Sequence, residues 1–297
     1  MKTFSVRFYR RLILVFLSLL ILAPTAVAVC LGMKCGRLEK QLEAVREEPV
    51  PRGSGLEETG PTVEPILYQT LYPDLYGTAQ LPDRRVRAED TVYLTFDGSP
   101  TANTQRILDI LDQYGVKATF FVVGRTDDAS LDLMREIVAR GHTIGLRSYS
   151  ESFQTIYSSV EAYLEDFDRI YQLVYETTGV KAEIFRFPAG SVNAYNSGIY
   201  QELIAEMLRR NFVFFDWDVT GEDTRVGGVT AQKVEEAVLR EMDGKSRGIV
   251  MLHDSAGKGA VVDALPRILS ELQEKGYGFQ PLTAAVMPVI FSYKSAP

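Results

Sequence analysis

Polar side chains that can carry acid–base chemistry follow several apolar segments of the sequence. Asp97 ends VYLTFD, Arg186 lies in IFRFPAG, and His253 ends VMLH. Two further segments are followed by Arg147 and Glu151, and by Asp216, Asp218 and Asp223. A histidine polarised by an aspartate is a competent general acid, and an aspartate held by an arginine is a competent general base. If these residues share one pocket, they would supply a general acid and a general base; the alternative for each of them singly is a solvated residue at the start of a loop.

The chain contains only two histidines, and their positions differ. His253 ends an apolar segment and is followed by Asp254, whereas His142 stands in a Gly-His-Thr turn ahead of the next apolar segment. We interpret His253 as functional and His142 as structural.

The elements that must position these side chains alternate regularly. Segments rich in Val, Ile, Phe and Thr predict strands at 91–97, 117–123, 143–147, 183–187, 212–219, 248–253 and 277–282. Helical periodicity lies between them, at 102–114, 129–140, 158–178, 197–210, 230–243 and 259–275. Thr101 or Thr104 and Thr230 are start signals for two of these helices. The alternation predicts an α/β fold with a parallel sheet, doubly wound or closed as a barrel, whose chemistry lies at the carboxyl ends of the strands.

The N-terminal segment predicts a membrane location. Residues 12–33 carry no charge, and as a helix these 22 residues reach about 33 Å, enough to cross a bilayer core of about 30 Å. Four basic residues lie in 1–11, which favours a cytoplasmic tail there and a single-pass signal anchor with the remaining chain outside the cytoplasm. The alternative is a signal peptide cleaved after Ala26-Val27-Ala28, which would release a secreted protein.

A spacer and one folded domain follow the apolar segment. Residues 34–65 combine a short amphipathic stretch with a Pro- and Gly-rich stretch, so we expect a stalk and a flexible linker before a domain at 66–297. Both cysteines, Cys30 and Cys35, precede that domain, which must be stable without disulfides. Without the four N-terminal bases the chain keeps 28 basic and 39 acidic residues, a net charge of −11, which argues against nucleic acid as a partner.

Five short motifs along 66–292 resemble those of polysaccharide deacetylases, the NodB-homology domains of carbohydrate esterase family 4, in the membrane-anchored form of Gram-positive bacteria. In chain order they are Thr95-Phe96-Asp97-Gly98, Arg147 to Glu151, Arg186 to Gly190, Asp216-Trp217 to Asp223, and Leu252-His253. The resemblance implies a distorted (β/α)7 barrel that removes N-acetyl groups from peptidoglycan or a chitin-like glycan.

The resemblance also implies roles for the motif residues. Asp97 would be the general base, Arg186 its holder, His253 the general acid and Asp223 the partner that orients His253. The backbone N–H of Ala189 would face the oxyanion. We expect the substrate to contact Tyr149, Pro188, Ala189, Trp217 and Leu252.

The sequence departs from the family at the metal. Members hold a divalent ion, usually zinc, with a second aspartate and two histidines, and these positions are Gly98, Arg147 and Glu151 here. Glycine has no side chain and arginine cannot ligate zinc, so we expect no metal cofactor. We hypothesise that Arg147 fills the vacated position, and that the two arginines and the two carboxylates of Asp97 and Glu151 satisfy one another with bidentate hydrogen bonds.

Three functions remain open. The domain is a metal-free pseudoenzyme that binds cell-wall glycan, or a hydrolase of N-acetyl or acetyl ester bonds that uses Asp97 and His253 without zinc, or a structural partner at the cell envelope. The partners expected are the glycan and, through the N-terminal helix, the membrane.

Overall fold

The computed structural model describes residues 66–80, 82–224 and 228–292. The predicted tail at 1–11, the membrane helix at 12–33, the linker at 34–65 and the two cysteines lie outside these residues. Within the described part of the chain, no helix is both long enough and apolar enough to cross a membrane.

Parallel strands form one curled sheet, in the order β5-β4-β3-β2-β1-β7-β6, with β8 beside β1. The strands are β1 (Thr91–Gly98), β2 (Thr119–Val123), β3 (Thr143–Ser148), β4 (Ile184–Phe185), β5 (Val213–Phe214), β6 (Val219–Thr220), β7 (Arg247–His253) and β8 (Gly278–Phe279).

Helices fill the connections between these strands. They are α1 (Leu67–Thr70), α2 (Ala102–Gln113), α3 (Asp128–Ala139), α4 (Phe153–Ile156), α5 (Val160–Thr178), α6 (Tyr200–Arg209), α7 (Ala231–Met242) and α8 (Gly259–Glu274). The predicted start signals are confirmed for two of them, because Thr101 and Thr104 form a capping box at α2 and Thr230 caps α7.

The predicted strand at 212–219 divides into two short strands. Its first part, β5, pairs with β4, and its second part, β6, pairs with β7 at the other end of the sheet order. Only residues 215–218 separate the two strands, so the sheet must curl until one extended segment reaches both of its edges. This architecture is consistent with the distorted (β/α)7 barrel that the resemblance implies.

Alternation along the strands separates two cores. On β1, the side chains of Val92, Leu94 and Phe96 pack against the helices, while Tyr93 belongs to a smaller inner cluster with Phe121 of β2. Because successive side chains point to opposite faces of a strand, residues two apart from Tyr93 share its inward direction. Asp97 therefore lies on the inner face, at the carboxyl end of the sheet.

A buried arginine joins the N-terminal lead-in to the body of the domain. Arg210 is fully buried and donates from Nε to Glu206 Oε1 at 2.7 Å. Its terminal nitrogens donate to the backbone carbonyls of Tyr68, Leu71, Tyr72 and Leu75, at distances of 2.7 to 3.3 Å. One guanidinium thus satisfies four carbonyls of the segment that precedes the first strand.

We predict that Arg210→Met lowers the free energy of unfolding by about 3–5 kcal/mol, because it leaves the buried carboxylate of Glu206 and the lead-in carbonyls without this donor. Urea denaturation measures the loss. Arg209→Met is the matched control: Arg209 also donates to Glu206, but 36% of its side chain is exposed, so we expect a loss of only about 1 kcal/mol. Equal losses in the two variants would contradict the structural role of Arg210.

Candidate active site

Four motif residues meet at the carboxyl end of the curled sheet. Asp97 and His253 are register partners on β1 and β7, and Arg147 lies on β3. Arg186 directly follows β4 and reaches Asp97 across the interior of the sheet. These four of the strand-end residues selected from the sequence thus converge on one site.

The centre of the site is the ion pair between Arg186 and Asp97. Arg186 is fully buried, and its Nη1 donates to Asp97 Oδ1 at 2.6 Å and to Thr95 Oγ1 at 2.7 Å. Its Nε donates to the carbonyl of Phe215 at 2.9 Å, and its guanidinium lies 4.3 Å from the ring centre of Phe121. Burial lowers the pKa of Arg186, and the carboxylate of Asp97 opposes that shift. Arg186 therefore holds Asp97 as the resemblance implies.

His253 and Asp223 form a second pair. Nδ1 of His253 lies 3.0 Å from Oδ1 of Asp223, whose Oδ2 also accepts the backbone N–H of His253 at 2.9 Å. This contact orients the ring and leaves Nε2 as the nitrogen that can exchange a proton with a ligand. The arrangement is that of a general acid with its orienting carboxylate.

Of the three aspartates in the fourth motif, only Asp223 forms a hydrogen bond with His253. Asp216 accepts the backbone N–H groups of Ser191 and Phe291 at 2.8 and 2.7 Å, which fixes two loops. Burial raises its pKa. Asp218 accepts the N–H of Ile249 at 2.7 Å, at the start of β7 and away from the site.

Arg147 forms the expected ion pairs with Asp97 and Glu151, but without the expected hydrogen bonds. Its Nε lies 3.8 Å from Asp97 Oδ2, and its Nη1 lies 3.9 Å from Glu151 Oε1. Both distances exceed those of hydrogen bonds, and the side chain donates none to any described residue. The bidentate quartet of two arginines and two carboxylates does not form, because Asp97 already accepts from Arg186.

The position that corresponds to the family's ligand aspartate has no room for a side chain. The atom nearest to a Cβ on Gly98 would be the side-chain oxygen of Ser255, followed by Asp254 Oδ1 at 2.6 Å and the backbone nitrogen of Ser255 at 3.2 Å. With a cation at Arg147 and a carboxylate at Glu151 that is 66% exposed, this donor set does not fit a divalent metal. No group of three metal-ligating side chains occurs in the part of the chain that the structure describes.

We predict that Gly98→Ala lowers the free energy of unfolding by about 1–3 kcal/mol, because the new methyl group must displace a buried carboxylate. The measurement is the midpoint and slope of a denaturant titration. Gly198→Ala serves as the control, since a Cβ there would meet nothing within 4 Å. A Gly98→Ala variant as stable as the control would show that the position is open.

Asp254 is buried beside this position. Thr104 donates to its Oδ2 at 2.6 Å, whereas its Oδ1 has no hydrogen-bond partner in the described structure. Burial raises the pKa of Asp254 to about 6. Between the ordinary pKa of an aspartate, about 3.9, and this value, the folded protein keeps a proton that the unfolded chain releases, so stability falls as pH rises through that window.

We predict that Asp254→Asn removes this pH dependence. Asparagine can accept from Thr104 without carrying charge, so the variant should match the wild type below about pH 4 and exceed it by at most about 3 kcal/mol above about pH 6. Urea denaturation across pH 3.5 to 7.5 measures the difference between the two curves. Asp74→Asn, at an exposed aspartate, should show no such divergence. Parallel curves for Asp254→Asn and the wild type would contradict the prediction.

The residues expected to contact substrate lie in different surroundings. Ala189 is exposed at a φ of 64°, and its N–H meets no acceptor among the described residues, which suits the proposed oxyanion contact. Pro188 is buried, and its carbonyl accepts from Tyr157 Oη at 2.8 Å. Leu252 is fully buried on the helix side of β7, contrary to our expectation, because it must face opposite to its neighbour His253.

Both aromatic residues selected from the sequence have neighbours against their rings. The guanidinium of Arg169 lies 3.8 Å from the ring centre of Tyr149. Trp217 is half-buried, and Phe291 packs edge-on to it at 4.8 Å. Arg169 therefore covers one face of Tyr149, and Phe291 shields part of Trp217.

Two aromatic residues that sequence reasoning missed lie near Arg147. Phe153 at the start of α4 is 5.7 Å from the Arg147 guanidinium, measured to its ring centre. Tyr195 packs edge-on to Phe153 at 5.4 Å and is 50% exposed. The spacing of the sequence contains no signal for this pair, because one residue opens a short helix and the other lies in a distant loop.

Comparison with known proteins identifies the family. The sequence profile described as polysaccharide deacetylase matches residues 84–207, which include the first three motifs. A peptidoglycan-N-acetylglucosamine deacetylase of Bacillus cereus is 30% identical over 192 residues, which is 63% of this chain and 67% of that protein. The chain belongs to the polysaccharide deacetylase family.

Other members of the polysaccharide deacetylase family show the same relationship. A putative polysaccharide deacetylase of Bacillus subtilis is 28% identical over 220 residues, 73% of this chain and 75% of that protein. The crystal structure of the catalytic domain of a peptidoglycan N-acetylglucosamine deacetylase from Eubacterium rectale superposes with a TM-score of 0.68 at 31% identity, covering 72% of this chain and 98% of that domain.

Proposed function

We propose that this member of the polysaccharide deacetylase family is a membrane-tethered, metal-free pseudoenzyme that binds N-acetylated cell-wall glycan on the extracytoplasmic side. The observation that carries the proposal is the state of the ligand positions. Gly98 has no space for a side chain, and Arg147 presents a cation to Asp97. A divalent ion in that place would meet a guanidinium instead of a ligand.

The energetic argument supports a loss of deacetylation. In the family, the metal lowers the pKa of the attacking water from about 15.7 toward about 7. Without it, the transition state loses several kcal/mol of stabilisation, and each 1.36 kcal/mol is a factor of about ten in rate. The described residues hold no substitute that could ionise a water molecule to that extent.

The glycan follows from the relatives. The Bacillus cereus protein, a relative in sequence, and the Eubacterium rectale domain, which superposes on this fold, are both named peptidoglycan N-acetylglucosamine deacetylases. Their named substrate supports N-acetylated glycan as the ligand and the carboxyl end of the sheet as the surface that binds it. The membrane tether rests on the uncharged segment 12–33, and secretion after cleavage remains its alternative.

An active hydrolase is the second candidate, and one observation favours it. Asp97, Arg186, Asp223 and His253 are assembled as a held carboxylate and an oriented histidine. In this alternative Arg147 polarises the scissile carbonyl in place of a metal. The third option, a structural partner at the envelope, predicts neither glycan binding nor hydrolysis.

We predict that the full chain, purified in mild detergent, releases no acetate from N-acetylated peptidoglycan or chitin oligomers, with or without zinc, but sediments with insoluble peptidoglycan. Enzymatic acetate detection and co-sedimentation measure the two properties, with circular dichroism as the folding check. Release that is independent of metal and disappears in His253→Ala would instead establish the hydrolase. A folded protein that neither releases acetate nor binds glycan would leave the structural role.

A further inference from the structure

Arg147 is nearly buried, and its hydrogen-bonding capacity is unused. Its side chain is 10% exposed, and no hydrogen bond from its guanidinium reaches any described residue. Guanidinium groups carry five N–H donors, and the nitrogens of Arg147 are not among the fully buried polar atoms without a partner, so an acceptor from outside the chain can reach them. By contrast, Arg186 beside it is surrounded by a carboxylate, a hydroxyl and two backbone carbonyls.

The carboxylates near Arg147 do not fill this need. Asp97 is bonded to Arg186 through Oδ1, and its Oδ2 stays 3.8 Å from Arg147. Glu151 is 3.9 Å away and 66% exposed, so solvent screens its charge. Asp223 uses its oxygens on His253. An acceptor supplied from outside the chain would satisfy the free donors.

The geometry of the donors favours a carboxylate. The planar guanidinium fork matches the two oxygens of a carboxylate with two parallel hydrogen bonds, whereas a neutral carbonyl uses one. A dianionic phosphate would be repelled by Asp97 and Glu151, both within 4 Å of the same guanidinium. A singly charged carboxylate can accept from the free N–H donors of Arg147 and is repelled less by Asp97 and Glu151 than a dianion is.

A fixed aromatic surface adjoins the guanidinium. Tyr195, 50% exposed, packs edge-on to Phe153, whose ring lies beside Arg147. The side chain of Asn193 holds this loop in place, since its Oδ1 accepts the N–H of Tyr195 at 2.8 Å and its Nδ2 donates to the carbonyl of Gly190 at 2.9 Å. The apolar face of a pyranose ring can pack on Tyr195 while a substituent points toward Arg147.

The geometry points to an acidic sugar as the ligand of this site, with its carboxylate on Arg147 and its ring on Tyr195. The inference rests on the proposed glycan-binding function and specifies the class of sugar. Two sources share the chemistry: a lactyl ether carboxylate, as in N-acetylmuramic acid, and the ring carboxylate of a hexuronic acid.

Isothermal titration calorimetry on the full chain tests the inference with matched pairs of ligands. N-acetylmuramic acid is compared with N-acetylglucosamine, and methyl glucuronide with methyl glucoside, and acetate alone serves as a small carboxylate. We expect one or both acidic sugars to bind at least about tenfold more tightly than their neutral counterparts and than acetate, and the arm that does so identifies the source. We expect the preference to weaken in 0.5 M salt, as for any charge-dependent contact.

Variants distinguish a specific contact with Arg147 from a general effect of positive charge on the protein. Arg147→Gln should abolish the preference for the acidic sugar, and Arg147→Lys should lose most of it, because lysine keeps the charge without the fork. Arg125→Gln is the matched control: it removes the same charge from the loop after β2, where Arg125 is 54% exposed and paired with Asp127. The melting temperature of each variant is measured, and Arg147→Lys together with the wild-type ligand series decides the question where Arg147→Gln fails to fold.

Equal affinities for acidic and neutral sugars would overturn the inference, and so would a preference that survives both Arg147 substitutions. Acetate that binds as tightly as the acidic sugars would likewise remove the sugar from the proposal. In each of these cases sedimentation with peptidoglycan still supports glycan binding, whereas a folded protein that binds none of these sugars and does not sediment with insoluble peptidoglycan removes the proposed function as well.

Discussion

The buried guanidinium of Arg186 organises the carboxyl end of the sheet. It donates to Thr95 and Asp97 on β1 and to the carbonyl of Phe215 just beyond β5, while its plane lies against Phe121 on β2. A buried charge of this kind is tolerated only when a counter-charge and hydrogen-bond acceptors surround it. Arg186 thus sets the position of Asp97, and the position of Asp97 in turn limits how Arg147 can contact it.

The loose contact of Arg147 follows from that constraint. One oxygen of Asp97 is taken, and Arg147 and Arg186 are like charges close enough that Arg147 contributes to the lowered pKa of Arg186. Repulsion between the guanidiniums and competition for one carboxylate keep Arg147 at 3.8 Å. A cation that the fold places but does not satisfy is the feature that separates this site from a purely structural ion-pair cluster.

The parts of the fold that depend on local signals were predictable from the sequence. The threonines at 101 and 230 mark helix starts, and the order of apolar segments gives the parallel alternation. The orientation of Leu252 was also predictable, because successive side chains of a strand point to opposite faces and Leu252 must therefore face away from His253. The division of 212–219 was not, since it depends on how far the whole sheet curls. The same holds for the pairing of Phe153 with Tyr195, which only the fold brings together.

The fourth motif shows why residue type alone did not identify the partner of the histidine. Asp216, Asp218 and Asp223 are equivalent as carboxylates, but the first fixes loops, the second accepts from the start of β7, and only the third reaches His253. The difference lies in the path of the chain between β5 and β7, which crosses from one end of the sheet order to the other.

The change at Gly98 extends beyond the absent side chain. The hydroxyl of Ser255 and the carboxylate of Asp254 would both clash with a Cβ on Gly98, and Thr104 holds that carboxylate with a hydrogen bond of 2.6 Å. Thr104 also accepts the N–H of Thr101 in the capping box of α2, and the hydroxyl of Thr101 donates to the carbonyl of Asp254. The crowded position at Gly98 is therefore linked by hydrogen bonds to the N-terminal cap of α2. In the proposed metal-free site, an aspartate at 98 alone would not recreate a ligand, because its side chain would have to displace a carboxylate that the helix cap holds in place.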